Sequence, residues 1–200
     1  MARLQLNKSS LAREAKSLRT YERFLPSLDL KRQQLMAERA KAVDALAGTR
    51  KEIEVFTREI GQKLPMLSNM DVDLSDLVTL SDIDLGSQNV VGTHLPVLRR
   101  IVVDIRPYAL MARPHWVDNV AATLHDMLEL RIRAQVEERR VTLLDAAVKT
   151  ITQRVNLFDK VLIPRTRANI KRIRIYLSDE QMAAVVRSKI SKRKNAAASA

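Results

Sequence analysis

Few side chains in this sequence are spaced for chemistry. The four glycines, Gly48, Gly61, Gly86 and Gly92, lie far apart, and no G-x-x-x-x-G-K-[ST] loop is present to wrap a phosphate. The chain is therefore not expected to bind or hydrolyse ATP itself. Cysteine is absent, which removes thiolate metal sites, disulfides and thiol nucleophiles together and fits a reducing cytoplasm. The histidines, His94, His115 and His125, have no zinc-site spacing. His125 with Asp126 and Glu129 comes nearest to a metal-binding group, and surface histidines explain all three better. Asp71 and Asp73 resemble a carboxylate dyad, but they sit in a polar stretch without the apolar wall that would shift their ionisation. Trp116, beside Pro114 and His115, reads as a packing anchor rather than a stacking platform. No catalytic residue, cofactor or metal site is expected.

The elements that carry these residues are few and long. With 200 residues, four glycines and six prolines, turn-forming material is scarce. Hydrophobic residues make up 46% but aromatics only 4%, which favours a thin, elongated core. From Leu11, residues seven apart read Leu11, Leu18, Leu25, Arg32, Arg39, Leu46, Ile53 and Ile60. A companion series reads Tyr21, Leu28, Leu35, Ala42, Thr49 and Phe56. This is an a/d heptad stripe with charged residues between its positions, the pattern of a helix with one buried face. Arg32 and Arg39 interrupt it; their stems can lie along the seam with the guanidinium in water. Pro26 is expected to kink the helix without breaking it, since the stripe keeps its phase on either side. Pro65, Ser68 and Asn69 place the helix end near Leu64.

Between about Met70 and Pro114 the period changes. Val72 and Leu74, Ile83 and Leu85, then Ile101 to Ile105 suggest short strands, read here as a hairpin whose turn lies within Gly86 to Gly92. After Pro114 the heptad returns as Val120, Met127, Leu130, Ala134, Val141, Leu144, Val148, Ile151, Val155, Phe158 and Leu162. Beyond Pro164 it moves to Ile170, Ile173 and Leu177, a phase jump that resembles a stutter and should locally unwind a supercoil. The tail from Ser188 is expected to fray. The expected fold is mainly α: a long antiparallel coiled coil of residues 1–67 and 117–200, joined by a middle region, 68–116, that contains a β-hairpin.

Charge supports that pairing. The formal net charge of +12 is concentrated at both ends, with Lys160, Arg165, Arg167, Lys171, Arg172, Arg174, Arg187, Lys189, Lys192, Arg193 and Lys194 near the C terminus, while the middle is acidic. Antiparallel helices bring the two basic ends together. No run of apolar residues is long enough for a membrane span, and the N terminus lacks a signal-peptide core.

The sharpest local signal is Gln153 to Arg165, QRVNLFDKVLIPR, where Asn156 and Pro164 interrupt a regular helix. It resembles the R-R-V-N-A-L-E…I-P signature of the D subunits of the V-type and archaeal-type rotary ATPases, the central rotor shaft; the matching residues are Arg154, Val155, Asn156, Ile163 and Pro164. Asn89-Val-Val-Gly-Thr-His-Leu-Pro96 is similar to that family's N-[IV]-x-G-x-x-[VIL]-P segment, through Asn89, Gly92 and Pro96. Leu11 to Leu35 looks like its N-terminal leucine pattern, ending in Lys31 and Leu35. The three stretches occur in the family's order and together cover most of the chain. Phe24, Gln153, Leu157, Phe158 and Asp159 depart from the pattern and mark a divergent member.

The resemblance implies a non-catalytic shaft in a proton- or sodium-translocating complex, peripheral to the cytoplasmic membrane face. It implies as partners the catalytic and non-catalytic A and B subunits of the nucleotide-binding ring, the F subunit of the stalk, and the C/d-type socket above the membrane rotor. Arg167, Lys171 and Arg174 would then face the bore. Two other classes remain to compare: a basic coiled coil that binds nucleic acid, supported by the charge but lacking aromatic stacking residues, and the stalk of a protein-export ATPase, which would not be expected to carry the middle strands.

Overall fold

The computed structural model describes residues 4–68, 74, 77–108 and 114–198. In chain order the elements are helix α1 (Lys8–Lys63), a 3-10 turn (Pro65–Ser68), strands β1 (Val78–Val90) and β2 (Thr93–Ile105), helix α2 (Val117–Asn156), a π-helical turn (Leu157–Leu162) and helix α3 (Ile163–Ala198). The fold is mainly helical, with one antiparallel hairpin in the middle. The chain divides into two compact units, Met1–Lys31 with Thr150–Ala200, and Arg32–Lys149.

Asn7 caps α1. Its side-chain oxygen accepts from the Ser10 backbone N–H at 2.7 Å, which satisfies one of the amides that the first turn leaves open. Pro26 lies inside α1, and the helix continues through it to Lys63. The next residue still donates its N–H to Ile60, at 2.9 Å, before Pro65 ends the run.

Within the first unit, α1 and α3 run antiparallel. Arg167 donates to Glu22 at 2.7 Å and Asn169 to Glu14 at 3.3 Å, so residue numbers rise on one helix as they fall on the other. Tyr21 meets Phe158 edge to face, with ring centroids 5.4 Å apart. Within the second unit, α1 and α2 are likewise antiparallel, linked by Arg39 to Asp145 and by Arg50 to Glu138. The heptad positions behave as the periodicity requires. Leu35, Leu46, Leu144, Ile151, Val155, Ile170 and Ile173 are buried, the other positions are half-buried or buried, and Arg39 alone is exposed. Arg39 therefore leaves the seam to form an interhelical ion pair. Thr49, a polar stripe position, is buried at 6% exposure.

Two sequence expectations change. The phase jump assigned to Pro164 is met one turn earlier, where Leu157–Leu162 forms a π-helical turn and the Ile163 N–H donates to Phe158, five residues back. Proline cannot donate an amide, and its ring needs room at the carbonyl four residues before it. A wider turn supplies that room and absorbs an extra residue, so Ile163, Thr166, Ile170 and Ile173 all return to the core. The strands are not short: each has 13 residues. The tail from Ser188 is helical to Ala198; its alanines, lysines and arginines are strong helix formers. Val72 and the pair Asp71 and Asp73 lie outside the described residues.

A satellite core forms where the hairpin meets the start of α2. Leu77, Val117, Val120 and Ala121 are buried together, with Leu64, Leu74, Val78, Tyr108 and Trp116 packed around them. Trp116 is thus the packing anchor that its sequence position indicated. The Arg106 N–H donates to the Leu77 carbonyl at 3.0 Å, and the Tyr108 hydroxyl donates to Asp118, tying the base of the hairpin to the first turn of α2.

Candidate functional site

The hairpin motif is a turn device. The strands close through Val91 and Gly92, with Val90 paired to Thr93; both central residues have positive φ, 52° for Val91 and 81° for Gly92. Two positive values match the right-handed twist of the strands, and glycine accepts the conformation freely. The Asn89 side chain accepts from the Gly92 N–H at 2.8 Å and holds the loop closed. Val91 is β-branched and strained in this region. The turn therefore sits at the C-terminal edge of the expected window, and Gly86 lies inside β1. Pro96 continues β2, where the missing N–H suits an outer strand, and its carbonyl accepts from Arg140 Nη1 at 3.4 Å.

The strand register shifts twice. Leu80 pairs with Val103 but Asp82 with Val102, and Asp84 pairs with Arg100 but Leu85 with Leu98. Ser81 is thus the surplus residue on β1, and Arg99 the surplus residue on β2. Such bulges re-aim side chains. Gly86 makes room for one of them: a Cβ there would lie 2.4 Å from Arg99 Nε. Sequence reading missed this pairing, because neither residue belongs to a recognisable pattern by itself.

The second motif sits around the π turn. Val155 and Ile163 are buried at 6% exposure each, while Arg154, Asn156 and Pro164 are exposed. Val155 and Ile163 hold the seam on either side of the widened turn; Asn156 is the last α-helical residue before it. Thr166 Oγ1 donates to the Leu162 carbonyl at 2.7 Å, satisfying a buried hydroxyl just beyond it. The asparagine and proline are legible signals of an interruption, but nothing in residue type alone says that it is a π turn.

The basic set divides. Arg167 is held across the helix pair by Glu22, whereas Lys171 and Arg174 are exposed and form no ion pair among the described residues. Beyond Leu177 every residue to Asn195 is exposed, including Met182, Val185, Val186 and Ile190. The hairpin motif belongs to one unit, and the motif at the π turn with the basic set to the other. His125 lies beside Asp126 and Glu129, its ring nitrogens 3.3 Å and 4.0 Å from their carboxylates; Asp126 is exposed and the other two are half-buried, all on one helical turn. Among the described residues, no group of three or more His, Cys, Asp or Glu is placed to hold a metal, and no helix is long and apolar enough to cross a membrane.

Turn formers, seam packers and exposed cations on antiparallel helices are the parts of an interaction-bearing helical protein. Its family follows from comparison with known proteins. The model for the ATP synthase D subunit matches residues 10–193, and the chain belongs to that family. It is 31% identical to the V-type ATP synthase D subunit of Borreliella burgdorferi, over 96% of this chain and 95% of that protein. It is 30% identical to the V-type ATP synthase D subunit of Chlamydia muridarum, over 96% of each chain. The corresponding protein of Chlamydia felis is 29% identical over 96% of this chain and 94% of its own.

Proposed function

We propose that the chain is the central-stalk component of a V/A-type rotary ATPase and transmits torque between the nucleotide-binding ring and the membrane rotor. The family match over residues 10–193 carries this reading. In it, residues 1–67 and 117–200 form the shaft and 68–116 the head. The shaft enters the bore formed by the A and B subunits, and the head meets the F subunit and the C/d-type socket. The chain works at the cytoplasmic membrane face as a non-catalytic part of the complex.

Two features support the mechanical role. A buried stripe along paired helices resists bending and twisting, because deformation must unpack close-fitting side chains. Exposed cations such as Lys171 and Arg174 attract a carboxylate-lined bore through contacts worth about 1 kcal/mol or less each, weak enough to be exchanged during rotation. In this reading Asn89 and Gly92 shape the head's turn and Pro96 lies in the strand after it, while Val155, Asn156, Ile163 and Pro164 flank the widened turn in the shaft.

The test is reconstitution with the remaining subunits and measurement of ATP-driven ion pumping. Lys171→Glu combined with Arg174→Glu should lower coupled pumping while ring hydrolysis continues. Full pumping in a complex assembled without this chain would overturn the reading.

A further inference from the structure

The second unit contains a cleft of about 390 Å³ between β2 and α2. Arg99 and Arg100 line it from β2, Arg133 and Arg140 from α2, and the only acids on its wall are Glu129 and Glu137. Among the described residues, Arg99, Arg100 and Arg133 form no ion pair, and Arg140 is used only by the Pro96 carbonyl. Guanidiniums gathered around one concavity repel one another unless an anion joins them. The cleft therefore carries unspent positive charge.

The local backbone is built to keep it so. Arg99 is the surplus residue of a bulge, and its side chain crosses β1 where Gly86 has no Cβ. The edge of β2 away from β1 pairs with no strand among the described residues, and four consecutive residues, Leu98 to Ile101, reach the cleft from it. The bulge at Arg99 breaks the strict alternation of the strand there, so neighbouring side chains can share one wall.

We propose that this cleft docks an acidic, extended segment of a partner protein, whose carboxylates are received by Arg99, Arg100 and Arg133. The charge complementarity is direct, since guanidinium and carboxylate pair in two-pronged geometry. A peptide fits better than a phosphate chain for two reasons. Glu129 and Glu137 interrupt the positive wall, which suits the spaced charges of a peptide better than the continuous charge of a polyphosphate. The outer edge of β2 can also receive a peptide main chain in strand pairing, which a phosphate chain cannot offer. Leu98, Ile101 and Val136 give the segment's alternate side chains apolar ground.

The experiment uses the full chain and fluorescence anisotropy with a labelled decapeptide of alternating glutamate and valine. The peptide should bind, and Arg99→Ala combined with Arg133→Ala should weaken it about tenfold or more. Arg187→Ala with Lys192→Ala removes the same charge elsewhere and should change affinity less than about twofold. Gly86→Ala keeps the charge but displaces Arg99, and should weaken binding severalfold. No binding, equal loss in both double variants, or an unmoved affinity in Gly86→Ala would each overturn the proposal. Tighter capture of inorganic polyphosphate than of the peptide, lost in the Arg99 and Arg133 variant, would also overturn it in favour of a phosphate site. The measurement needs no other protein of the complex, so its outcome is independent of the torque reading.

Discussion

Helix α3 is one element with two environments. From Ile163 to Leu177 it keeps Ile163, Thr166, Ile170 and Ile173 inside the pair; from Ser178 to Asn195 every residue is exposed, although Met182, Val185, Val186 and Ile190 are as apolar as the residues before them. Helix propensity is similar in both halves, so local sequence decides that the chain is helical and only the neighbouring helix decides what is buried. In the proposed shaft, the second half is the part whose cover comes from the surrounding ring.

That contrast can be broken in order of effect. Deleting Ala168 would turn Ile170 and Ile173 about 100° away from α1 and expose both, a loss of about 5 kcal/mol in urea unfolding followed by circular dichroism. Deleting Ala183 should cost less than about 1 kcal/mol in the same assay. Equal losses would mean that the two halves are packed alike.

Ile173→Ala should cost about 3 kcal/mol, because a fully buried side chain leaves a cavity, whereas Val186→Ala should stay within about 0.5 kcal/mol. Thermal melts of the free chain rank the two. In the reconstituted complex, Val186→Asp should lower pumping without a matching loss of chain stability.

Deleting Asp159 tests the π turn. The helix can then close with ordinary spacing and leave Ile170 and Ile173 in phase, but Pro164 would meet an undistorted interior turn. The expected cost is about 3 kcal/mol, largely restored by adding Pro164→Ala. A loss as large as that of the Ala168 deletion, unrelieved by the second change, would show that the turn does not reset the phase.

The smallest effects concern charge. Arg167→Glu places a second carboxylate beside Glu22 and should destabilise the free chain by about 1 kcal/mol, less at high salt. Lys171→Glu with Arg174→Glu should leave unfolding nearly unchanged. A reversed order would mean that the ion pair at Glu22 does not form in solution.

The seam was legible because burial repeats with the helix: Leu35, Leu46, Ile151, Val155 and Ile173 follow from spacing alone. The window from Gly86 to Gly92 likewise contains the turn at Val91 and Gly92, whereas the capping role of Asn89 was not read from its residue type. What escaped depends on contacts distant in sequence. Arg39 leaves the stripe for Asp145, and Ile132, outside the heptad series, is buried. The widened turn changes which carbonyl each amide meets, and residue type hardly records that choice. The arginine cleft was hidden for a similar reason: a bulge at Arg99 and a missing Cβ at Gly86 acquire meaning only when the strands are set side by side.

The π turn also bears on how lineages of this family vary. A stretch that already accommodates one residue more than its neighbours is a place where that residue can be gained or lost without rewriting everything downstream. Length differences among C-terminal helices of related chains should collect between 157 and 163, and be purged elsewhere along the seam.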